Sequence, residues 1–110
     1  MSQVLFVYAT ASDAAEAERI GEAVVDERLA ACANVIDGMR SIFRWQGSVQ
    51  KGREAILILK TREDLFDELK QRIVELHSYE LPCIVAMPVT VGHEPFLDWV
   101  ASETGPSEMV

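Results

Sequence analysis

The stretch Ala31–Lys60, ACANVIDGMRSIFRWQGSVQKGREAILILK, decides how this chain folds. Its two arms, from Ala31 to Trp45 and from Ser48 to Lys60, have strand character, and Gln46-Gly47 between them suits a two-residue hairpin turn. Centring the turn there pairs Trp45 with Ser48 and sets Asp37-Gly38 roughly opposite Ala55 and Ile56. A bulge or bend at Gly38 would account for that glycine. The alternative makes Asp37-Gly38 a turn of its own and the region a three-stranded meander. In the long-hairpin reading the arms reach beyond a compact subunit.

Working outward, Val4 to Tyr8 is a continuous β-branched and aromatic run, expected of a strand buried on both faces in mid-sheet. Ser12 or Asp13 can cap a helix, with Glu16 three residues after Asp13 closing a capping box, and Ala17, Ile20 and Val24 keep helical spacing to about Arg28. Downstream, Thr61 can cap a second helix whose buried stripe is Leu65, Leu69, Ile73 and Leu76, ending near His77. Ile84 to Val91 reads as a strand in which Pro88 implies a bulge or an edge position. Pro95, Phe96, Trp99 and Val100 suggest a short closing helix.

The order β-α-β-β-α-β-α, with right-handed crossovers, places both main helices on one face of a four-stranded sheet. The expected fold class is α+β, a ferredoxin-like sandwich with a long central hairpin, occupying residues 1–104 as one domain. Residues 105–110 are expected to be a frayed tail. An uncovered apolar sheet face in so small a chain points to an oligomer.

With 110 residues there is room for one core, and 49 % apolar with 25 % charged residues is a globular composition. A net charge of −8 with scattered lysines and arginines argues against nucleic-acid binding. The apolar run Val4–Ala9 is too short to span a bilayer and no basic region precedes it, so neither membrane insertion nor export is expected. Cys32 and Cys83 form no CxxC pair and no disulfide framework, which suits a reducing cytoplasm.

Several segments resemble those of one known family. Arg28–Val35 (RLAACANV) resembles the R-L-A-A-C-x-N segment of CutA proteins, and Ser41–Gly47 (SIFRWQG) is similar to their S-x-Y-x-W-x-G hairpin. Glu54 with Leu59-Lys60-Thr61 resembles the next arm and helix cap, His77–Pro82 (HSYELP) resembles H-P-Y-E-x-P, and Phe96–Trp99 (FLDW) resembles Y-L-x-W. The resemblance runs from about Val4 to Val100. It implies a subunit of a tight homotrimer, association with copper and other divalent cations, and a role in metal tolerance. Ser12 and Ser78 depart from it where prolines are usual, Cys83 where a glutamate often follows the proline, and Ala9 where some members carry a cysteine.

Candidate metal ligands are His77, Glu80, Cys32 and Cys83, whose imidazole, carboxylate and thiolate groups donate to copper, with zinc as the second choice. His77 and Glu80 lie three apart at a helix exit and could face one pocket. Their structural readings are a helix C-cap for His77 and an ion pair with Lys60 for Glu80, while both cysteines can simply pack as small hydrophobes. Trp45, Glu54, Lys60 and Tyr79 are candidates for a pocket between subunits. Glu54 and Lys60, six apart in one strand, share a face. His93 is expected to be solvated.

No catalytic motif or phosphate loop is present, and Ala9-Thr10-Ala11-Ser12 lacks the arginine an acylphosphatase-like loop needs, so an enzyme is not expected. The second functional reading is a signalling trimer resembling PII proteins, in which Lys60 with Arg44 or Arg53 would contact a nucleotide or small anion between subunits. A third is a structural assembly with adventitious metal binding.

Overall fold

The structure is a computed structural model and describes residues 3–106. In chain order it contains β1 (Val4–Ala11), α1 (Ala14–Asp26), β2 (Cys32–Trp45), β3 (Ser48–Arg62), a 3-10 turn (Glu63–Leu65) leading into α2 (Phe66–Leu76), β4 (Ile84–Pro88) and α3 (Glu94–Glu103). The four strands form one sheet in the order β2-β3-β1-β4 with every neighbouring pair antiparallel.

Strand alternation divides the sheet into two unlike faces. On one, the paired rows Val7–Leu59, Ala9–Leu57 and Ala11–Ala55 are buried, and Ala17, Ile20 and Val24 of α1 with Leu69 and Ile73 of α2 close over them. The small side chains let α1 press close: a methyl group on Gly21 would stand 3.0 Å from the Cβ of Ala33. On the other face, Phe6, Tyr8, Ile56 and Ile58 are only half-buried, and Ile36, Val85 and Met87 are 49 %, 54 % and 58 % exposed. β1 is therefore central as its sequence suggests, but within one chain it is covered on one side only.

The hairpin forms around Gln46-Gly47, whose φ values of 49° and 85° are those of a type I′ turn, and Trp45 pairs with Ser48. The register shifts between Ile36 and Met39, so Asp37 and Gly38 stand against Ala55, with Gly38 at φ 80°. This is the bulge, and no separate turn forms there. The arms beyond it extend the molecule to 50 Å along its long axis, against 29 and 22 Å across.

Several boundaries differ from the sequence reading. Asp13 caps α1, but the helix ends at Asp26, because Arg28 adopts a left-handed conformation with φ 62°. Thr61 caps nothing: β3 continues to Arg62, and the buried Thr61 hydroxyl donates to the Leu29 carbonyl at 2.6 Å. The β4 strand stops at Pro88, on the sheet edge, where the ring removes a ladder donor. Gly105 is no frayed residue; it is buried, its N–H donates to the Arg28 carbonyl at 2.8 Å and its carbonyl accepts from Arg28 Nε at 2.7 Å. The rest of the expected tail, apart from Pro106, lies outside the described residues.

Candidate functional site

Where the hairpin bends away from the sheet body, its inner side and the loop after α2 enclose a cavity of about 890 Å³. The strand β3 brings Glu54, the far end of β2 brings Trp45, and the loop brings Tyr79, Glu80 and Cys83. Five of the eight residues singled out in the sequence thus converge here. The Tyr79 hydroxyl donates to Glu54 Oε2 at 2.8 Å, and Tyr8 on the floor donates to the Met39 sulfur at 3.5 Å.

Electrostatics follow from partial burial beside a carboxylate. Desolvation, then the Glu54 hydrogen bond and charge, push the Tyr79 phenol above its ordinary range. Burial first and the Glu54 charge second raise the Cys83 thiol, which therefore remains protonated at neutral pH. A cation entering the cavity would reverse both effects, since positive charge favours phenolate and thiolate.

His77, Cys32 and Lys60 lie elsewhere. The His77 side chain is 1 % exposed; its Nε2 donates to the Thr10 carbonyl at 2.7 Å and its Nδ1 accepts the Tyr79 N–H at 3.0 Å. Both nitrogens are committed to backbone, which assigns the neutral Nε2–H tautomer and leaves no lone pair for a metal. His77 is thus the C-cap residue of α2, and its ring braces the loop through both nitrogens. Cys32 pairs across the strands with Lys60 on the sheet body, and Lys60 donates to Asn34 Oδ1 rather than meeting Glu80. The shared face of Glu54 and Lys60 holds, but only Glu54 reaches the cavity. Among the described residues no group of three or more His, Cys, Asp and Glu side chains is disposed to hold a metal ion.

Glu16 is the residue that sequence reasoning missed. Its capping role was visible; its second role was not. Oε1 accepts the Ser12 N–H and Oε2 accepts the Ser78 N–H, each at 2.9 Å, tying the start of α1 to the loop that carries Tyr79. Burial alone would raise this carboxyl, but hydrogen bonds from the backbone and side chains of Ser12 and Ser78 outweigh it and hold the value at about 2. Ser12 and Ser78 are the two positions where the resembled pattern has proline. A proline has no N–H, so both departures supply donors to the same carboxylate.

Comparison with known proteins agrees with this architecture. The family model described as CutA1 divalent ion tolerance protein matches residues 5–103. A Thermus thermophilus divalent-cation tolerance protein CutA is 46 % identical over 81 % of this chain and 86 % of its own length. The chloroplastic CutA of Arabidopsis thaliana is 34 % identical over 91 % of this chain, which spans 55 % of that longer protein. The solved structure of the divalent cation tolerance protein Cut A1 from Thermus thermophilus superposes with a TM-score of 0.90 at 42 % identity, covering 93 % of this chain and 99 % of that one. With the match running through β1, the hairpin, the loop and α3, the chain belongs to the CutA1 divalent ion tolerance family.

Proposed function

We propose that the protein is a ferredoxin-like subunit of a homotrimer that binds a divalent metal ion, copper first and zinc second, and serves metal-ion tolerance by binding rather than by catalysis. The observation that carries this reading is the cavity, which is lined by the carboxylates of Glu54 and Glu80 and the thiol of Cys83 and lies beside an uncovered apolar sheet face. The described residues of one chain offer too few converging donors for a closed coordination sphere. A second copy seated on Ile36, Val85 and Met87 would bury the open face and complete the sphere. The number three rests on the family resemblance, and two unpaired cysteines suit a reducing cytoplasm.

Calorimetric titration of reduced, tag-free protein with copper and with zinc, beside a Glu54→Gln/Cys83→Ser double variant, tests the site. Stoichiometric binding lost in the variant is expected. Because the Cys83 thiol must give up a proton to ligate, binding should also strengthen as pH rises from 6 to 8. Undiminished binding by the variant would remove the ion from this cavity, and a monomer in sedimentation at micromolar concentration would remove the assembly.

A further inference from the structure

Four of the ten lysines and arginines, Arg40, Arg44, Lys51 and Arg53, fall in the hairpin from Met39 to Arg53, which contains no acidic residue although the whole chain carries a net charge of −8. In the antiparallel register Arg40 stands directly opposite Arg53, Ile42 opposite Lys51 and Arg44 opposite Val49. Opposed residues share a face and alternate residues return to it, so all four cations lie together on one side of the ribbon. It is the side turned away from Glu54, which pairs with Met39 one step along.

All four are exposed, with Ile42 and Val49 between them at 70 % and 59 % exposure. Each of the other six lysines and arginines has an ion-pair or hydrogen-bond partner, from Arg72 on Glu27 to Lys60 on Asn34. Among the described residues none of the hairpin four has one. Arg40 facing Arg53 is a like-charge pair, which weakens a hairpin. A chain rich in acids has kept its unpaired cations in one place.

We propose that this outer hairpin face is a binding site for a small multivalent phosphate anion of the triphosphate class. Guanidinium forks match phosphate oxygens bidentately, and two of them opposed across the strands can close on one group. From Arg40 to Arg44 the strand rises by only about 13 Å, the scale of a few linked phosphates. A long polyanion would run on over the surrounding acidic surface, whose repulsion acts within about 10 Å. Ile42 and Val49 supply aliphatic ground beside the charges for an organic moiety.

Arg40, Ile42 and Arg44 also border the cavity that holds Glu54 and Cys83, so the test uses intact, metal-free protein. Tripolyphosphate and ATP are titrated calorimetrically and by thermal unfolding at constant ionic strength, beside Arg40→Gln/Arg53→Gln and Arg44→Gln/Lys51→Gln. Saturable one-to-one binding per chain is expected, weakened about tenfold or more in either double variant. Arg40→Gln/Arg53→Gln should melt higher than the parent without anion, because the repulsion is gone, and should gain little when anion is added. Equal response to both anions assigns recognition to the phosphates alone; tighter ATP binding brings Ile42 and Val49 into the site. Binding unaffected by both variants overturns the proposal. So does a response matched by chloride, tighter binding of a long single-stranded nucleic acid than of tripolyphosphate, or loss of assembly in the variants, which would assign the cations to contacts between copies.

Discussion

Replacing Glu16 by glutamine tests how the helix α1 and the Tyr79 loop are joined. A carboxyl ordinarily near 4.5 that is held at about 2 in the folded chain contributes about 3 kcal/mol at neutral pH if nothing screens it. Solvent reaches its rim, so about 2 kcal/mol is the working figure. The folded-state value lies below the unfolded one, so this stabilisation is complete above about pH 4.5 and is lost as pH falls towards 2. Glutamine keeps the shape and accepts one N–H through its oxygen, but turns an amide donor on the other, from Ser12 or Ser78. Urea unfolding of both proteins at pH 7 and pH 2.5, at one fixed concentration, should show Glu16→Gln about 2 kcal/mol less stable at pH 7 and the gap well under half that at pH 2.5. An equal gap at both pH values, or none at pH 7, would refute the reasoning, because a loss from packing alone does not titrate.

Two further substitutions probe the sheet. Leu57→Ala, at a fully buried position of β3 on the helix-covered face, should lower stability by about 2–5 kcal/mol in urea unfolding, and a loss under 1 kcal/mol would mean that the site collapses around the cavity. Gly38→Ala meets no atom within 4 Å, so its cost should be the left-handed backbone alone, about 1 kcal/mol, with unchanged metal titration; a change in binding would tie the bulge to the site.

The local devices were legible because each is written in adjacent residues. Gln46-Gly47 between two strand-like arms marks its turn, whereas Asp37-Gly38 allowed either a bulge or a turn until the register between Ile36 and Met39 decided for the bulge. Asp13 with Glu16 specifies a helix start. Misplaced boundaries came from contacts that adjacent residues do not carry. Thr61 has the chemistry of a cap, yet its hydroxyl is satisfied by Leu29 across the sheet edge, so β3 runs on. Gly105 has the composition of a tail, yet Arg28, 77 positions earlier, clamps it from both sides.

For the site, residue type identified the loop and the hairpin as the chemistry-bearing segments but could not say which donors were free. His77 carries the strongest metal-ligand side chain in its segment, and spacing alone makes it a partner for Glu80. Only the fold reveals that Thr10 and Tyr79 backbone groups already occupy both its nitrogens. The sequence by itself determined the element order, the long hairpin and the surplus of apolar residues on one sheet face, because periodicity and turn chemistry are local. The tertiary structure decided which side chains meet, placing Glu54, Tyr79 and Cys83 at one cavity and Glu16 under the loop. Those meetings join residues 25 to 62 positions apart, where hydrogen bonding and desolvation act through space and leave no mark on neighbouring letters.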